Sequence, residues 1–164
     1  MDVHSPHGPH SLAAGTTMPA MHTPLLCLLG FVLWIMLLVA GGIAAIRLTA
    51  VLTGKAPPNG FPADVPHGSE RYRRTMRAHM NCVENLPLFA SVVLTGAIVH
   101  AGSPLMDTLA LTYLGARVLQ SLVHIASGRF TAISVRLTCF VVQMVCLTWM
   151  GVLVYGALMA SRLV

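Results

Sequence analysis

Four long runs with little or no charge follow one another along the chain. They are Thr23 to Ile46, Asn85 to Met106, Thr108 to Ser127 and Leu137 to Ser161, and Arg117 is the one Lys, Arg, Asp or Glu inside any of them. A helix needs about 20 apolar residues to cross the hydrocarbon core of a bilayer. Each run is therefore predicted to be a spanning helix. One loop of moderate length and two short turns join them, so consecutive spans must run antiparallel. The expected fold is an all-α membrane protein, a four-transmembrane-helix antiparallel bundle. Residues 1–22 are expected to form a mobile tail and 23–164 a single domain, with spans at about 23–53, 69–101, 105–126 and 132–161. Composition agrees: 55% of the 164 residues are hydrophobic and 9% charged, where soluble domains carry about a quarter.

The first run is not expected to be a cleaved signal. No Lys or Arg precedes it, and it is longer than a signal's apolar segment. The tail carries His4, His7 and His10 at H-x-x-H-x-x-H spacing, but nothing there would orient the imidazoles, so no metal is expected. Cys27, Cys82, Cys139 and Cys146 have no metal-binding or redox spacing and are expected to be buried, inert thiols.

The net charge of +5 is informative through its placement. Arg47, Lys55, Arg71, Arg73, Arg74 and Arg77 flank the first loop, and Arg129 and Arg136 flank the third. The second turn and the N-terminal tail have no Lys or Arg. The positive-inside rule then places the first and third loops in the cytoplasm and both termini on the opposite side. Basic residues at membrane edges face anionic headgroups, so nucleic-acid binding is not implied.

"RAHMNCVENLP", Arg77 to Pro87, puts polar groups at the mouth of the second span. Ser69 is a candidate N-cap for that helix, and Pro87 is expected to kink it. Arg77, Asn81 and Glu84 fall within about 60° of one another along roughly 10 Å of axis. Tyr113, Arg117, Gln120 and His124 make a second stripe on the third span, and Arg136 with Gln143 a weaker one on the fourth. Antiparallel connection brings the three stripes to one depth, near the cytoplasmic boundary. Such groups can be interhelical hydrogen-bond glue, with Arg117 and Glu84 as an ion pair. They can also hold a ligand. Arg77, Arg117 and Arg136 outnumber Glu84, and the surplus asks for an anion.

"RAHMNCVENLPLF" resembles the R-A-x-x-N-x-x-E-x-x-P-x-F hallmark of the MAPEG family, the membrane-associated proteins in eicosanoid and glutathione metabolism. "GARVLQSLVH" resembles that family's third-helix motif, and the resemblance runs from about Arg47 to the C-terminus. It implies a homotrimer with glutathione bound between subunits near the cytoplasmic side. By position, Arg77, Asn81, Glu84 and Arg117 match the family's glutathione residues. Arg136 matches the arginine that activates the glutathione thiol in the eicosanoid-forming members. Two departures stand out. His124 replaces the usual third-helix tyrosine, and Gln120 replaces a common histidine. The turn before Arg136 looks long, which makes Arg129 a rival for the activating role.

Two functions follow as expectations. One is a glutathione-dependent transferase or peroxidase acting on lipophilic electrophiles from the bilayer. Arg136 would be its catalytic residue, and Arg77, Asn81, Glu84, Arg117, Gln120 and His124 would hold glutathione. The other is a non-catalytic binder or scaffold that presents lipid or glutathione. A proton or ion path fits less well, because no polar stripe crosses the whole bilayer.

Overall fold

The computed structural model describes residues 21–57, 60–61 and 67–162. The histidine-bearing tail reading falls on residues 1–20, outside the described residues. Four helices, each long and apolar enough to cross a membrane, make the bundle: α1 His22–Leu52, α2 Glu70–Ile98, α3 Pro104–Ala126 and α4 Phe130–Ala160. Among the described residues there is no strand. The helices run antiparallel in succession. The ends joined by the α1–α2 and α3–α4 connections carry Arg47, Lys55, Arg71, Arg73, Arg74, Arg77, Arg129 and Arg136, and are called the basic end below.

Local chemistry sets the helix starts. Ser69, extended at ψ 158°, accepts the Tyr72 N–H on its hydroxyl at 3.2 Å, and Glu70 in the first turn suits the positive helix terminus. Ser103 caps α3 in the same way through Met106 N–H, with Pro104 just inside. α2 continues unbroken through Pro87. Arg129 opens α4 with no side-chain cap bond.

α3 is the central element, packed on α1, α2 and α4, with its broadest contact on α4. Phe31, Phe89 and Tyr113, one from each of α1, α2 and α3, form an aromatic cluster. Phe89 stacks on Tyr113 at 4.2 Å, and Phe31 meets both edge-on at 6.2 and 6.1 Å. Burial of such rings contributes both area and specific geometry. The outward faces keep Leu, Val, Ile and Phe exposed, for example Leu33, Leu119 and Val145, as suits a bundle facing acyl chains.

One feature of α1 had no expectation from sequence. Leu38–Ala44 is π-helical, between α-helical His22–Leu37 and Ala45–Leu52. This stretch contains the Gly41–Gly42 pair. There α1 approaches α2 so closely that a Cβ at Gly42 would lie 2.5 Å from Thr75 Cγ2. Thr75 is buried and β-branched, so it has little freedom to move away. Gly42→Val is expected to destabilise the bundle by about 1–3 kcal/mol, the usual cost of overpacking. A lowered thermal midpoint in detergent checks this, and an unchanged one counts against the close approach.

Candidate functional site

Asn81, Gln120, His124 and Arg136 converge at the basic end on one cleft of about 320 Å³. Three helices supply them. Asn81 lies three turns into α2, where its backbone carbonyl accepts Asn85 Nδ2 at 2.8 Å. Gln120 and His124 are one turn apart near the end of α3, and Arg136 is in the second turn of α4. Ile133, Leu137 and Phe140, at i, i+4 and i+7 on α4, give the cleft an apolar wall. That wall was not anticipated from sequence, although its helical spacing beside Arg136 was there to be seen. The cleft is an open groove with one cationic side chain, amide and imidazole groups, and an apolar flank. It suits a polar, anionic molecule lying against a hydrophobic one.

Two tertiary hydrogen bonds hold the polar side in place. Gln120 Nε2 donates to the Arg136 carbonyl at 3.0 Å, and Gln143 Nε2 donates to Gln120 Oε1 at 3.2 Å. On the other flank, Arg74 Nε donates to the Ile125 carbonyl at 3.1 Å, which ties α2 to the last turn of α3. Cys82 Sγ and Ser121 Oγ meet at 3.3 Å between the same two helices.

Arg117 sits elsewhere than its stripe suggested. It is 0% exposed and does not line the cleft. Its Nη1 donates to Gln120 Oε1 at 2.9 Å, and its guanidinium carbon lies 5.9 Å from the Phe31 ring centroid. Its Nε and Nη2 have no hydrogen-bond partner among the described residues. The ion pair considered between Arg117 and Glu84 does not form: Glu84 is exposed, and ion pairs among the described residues join Glu70 to Arg73 and Arg74. These are exposed pairs at the start of α2 and add little stability. Arg117 is thus a buried charge held by an amide oxygen and an aromatic face, not by a carboxylate.

Arg77 and Glu84 are exposed, share the α2 face of Asn81, and do not line the cleft in the single chain. Arg129 is exposed at the α4 N-cap and likewise stands outside it. The structure therefore gathers four of the seven candidate residues, places Arg117 behind them, and leaves Arg77 and Glu84 on an uncovered helix face.

A larger cavity of about 720 Å³ lies beside the α1–α2 connection, between Ile46, Thr49, Lys55, Phe61 and Tyr72. Next to it Arg47 Nε donates to Tyr72 Oη at 2.6 Å under the Phe61 and Tyr72 rings. Size alone does not make it the site, because the polar stripes do not meet there.

No curated protein matches the chain. The model of the MAPEG family matches residues 24–156, a span that reaches into all four helices and holds every residue of the cleft, and the chain belongs to that family.

Proposed function

We propose that this protein is a glutathione-dependent membrane enzyme, a transferase or peroxidase acting on lipophilic electrophiles. One observation carries this reading: Asn81, Gln120, His124 and Arg136 converge from three helices on a single cleft with an apolar flank. Glutathione brings two carboxylates and a thiol, which suits a basic, amide-lined groove. A lipophilic second substrate suits Ile133, Leu137 and Phe140. The cleft volume is at the low end for a small-molecule pocket, and Arg77 and Glu84 stand uncovered beside it. Both features support an oligomer in which a neighbouring copy completes the site, and the count of three is what the resemblance to the MAPEG family implies. Charged groups inside a spanning segment rarely face lipid. Native mass spectrometry in mild detergent should show trimers, and mainly monomers or dimers would sink this part of the reading. The basic end is proposed to face the cytoplasm, with both termini opposite.

The chemistry is a displacement or addition by sulfur. A thiol of pKa about 8.5 is mostly protonated at neutral pH, and a nearby guanidinium favours the thiolate. The Arg136 charge supplies that bias, and the thiol proton passes to solvent. With a chlorinated nitroaromatic, the thiolate forms the C–S bond and chloride leaves with its electron pair. Binding of glutathione to the detergent-purified protein, compared with an analogue lacking the thiol, tests the site. Product formation with the chloroarene tests turnover. Glutathione binding without product would favour a non-catalytic binder. No glutathione binding at all would overturn the enzyme and the glutathione binder and leave a scaffold that presents lipid.

Glu84→Gln is expected to weaken glutathione binding more than folding. A charge-assisted hydrogen bond contributes roughly 1.5–3 kcal/mol, and in the single chain Glu84 is exposed and forms no ion pair among the described residues. Isothermal titration with a parallel melting curve checks this. A variant that loses stability but binds as the parent does would make Glu84 structural.

A further inference from the structure

Both side-chain hydrogen bonds that join α3 to α4 among the described residues pass through one residue, Gln120. Its amide nitrogen holds the backbone of Arg136, and its amide oxygen accepts from both Arg117 Nη1 and Gln143 Nε2. Arg117 and Gln143 are each 0% exposed, so neither can touch a molecule in the cleft of this chain. An amide that rotated about its last bond would trade its oxygen for its nitrogen. Two donors aimed at the Gln120 oxygen prevent that, because a flipped amide would set N–H against N–H. The nitrogen is thereby held toward the Arg136 carbonyl. Apolar packing in the first turn of α4 comes from the small Ala132, while Arg129 makes no side-chain capping bond and Phe130 is 81% exposed, so the Gln120 bond is the side-chain hydrogen bond from α3 that reaches the early turns of α4 among the described residues.

We propose that Gln143 and Arg117 are positioning residues that set the place of Arg136 through the Gln120 side chain. This rests on the reading of the cleft as a glutathione site, but the geometric claim can be judged without the ligand. Gln143 is the sharper test, since it is uncharged, fully buried and outside the cleft lining, and the bond it donates to Gln120 is its link to the site.

The experiment compares Gln143→Leu, Gln120→Leu and the double variant in detergent, with arginine labelled by nitrogen-15. The Arg136 guanidinium signal is assigned from its loss in Arg136→Lys. In protein without glutathione, Gln143→Leu should shift this signal in the same direction as Gln120→Leu, and the double variant should shift it no further than Gln120→Leu alone. With glutathione, the thiolate fraction at pH 7 should fall about fivefold in Gln143→Leu, the equivalent of one neutral hydrogen bond. A purely structural role would lower the melting temperature and leave both signals in place.

An Arg136 signal unmoved by Gln143→Leu overturns the proposal, and so do shifts that add in the double variant. If the parent binds no glutathione, the functional reading fails, while the Arg136 signal still decides the positioning claim.

Discussion

Arg136→Ala is expected to abolish the ultraviolet absorbance of bound glutathione thiolate near neutral pH while some binding survives. A guanidinium remains charged at any relevant pH, so it favours the thiolate without titrating itself. Its removal raises the pH at which the thiol ionises, and the thiolate fraction at neutrality falls toward that of free glutathione. Binding persists in part because Asn81, Gln120 and His124 still line the cleft. Arg129→Ala is the paired control. Arg129 is exposed at the α4 N-cap, outside the cleft lining, so its loss should change the signal little. A reversal of the two results would mean that Arg129 is the activating group in the assembled protein. If neither variant matters, or no thiolate forms in the parent, the binder reading replaces the enzyme.

The fold class was legible because a bilayer leaves so few options. Charge-free runs of about 20 residues have to be helices there, since the backbone has no water to bond. The start of α2 was legible for a local reason, Ser69 followed by an acidic first turn. The cleft was legible in part. Spacing placed Gln120 and His124 on one face of α3, and antiparallel connection brought Arg136 and Asn81 to their depth.

What spacing does not encode is which neighbour covers a given point on a face. Arg117 shares its stripe with Gln120 and His124, yet it is about one turn deeper than Gln120 and two turns deeper than His124, where Phe31 of α1 closes over α3. The same angle on the helix therefore leads into the core at Arg117 and into the cleft at His124. Arg77 and Glu84 are the opposite case: both stay exposed in one chain. The π-helical stretch of α1 was not foreseen. Its one sequence mark is the Gly41–Gly42 pair, which a helix tolerates for several reasons. The contact with Thr75 shows why a glycine is needed at position 42.

Arg117 should separate stability from site geometry. Arg117→Ala removes a large, fully buried side chain and leaves a cavity, so it is expected to destabilise by about 2–5 kcal/mol. Arg117→Met fills nearly the same volume and also removes a buried charge whose Nε and Nη2 lack hydrogen-bond partners among the described residues. Replacing a buried ionic group by an apolar one of similar shape is often neutral or stabilising, so the methionine variant should melt within about 1 kcal/mol of the parent or above it. Gln120 would still accept from Gln143 but would lose its charge-assisted partner. The bound thiolate should therefore decline in Arg117→Met even though the fold is intact. If methionine costs as much as alanine, the charge itself stabilises the bundle, and a counter-charge must reach Arg117 in the assembled protein. If methionine leaves both melting and thiolate unchanged, Arg117 acts on neither, and the hold on Arg136 reduces to Gln120 and Gln143 alone.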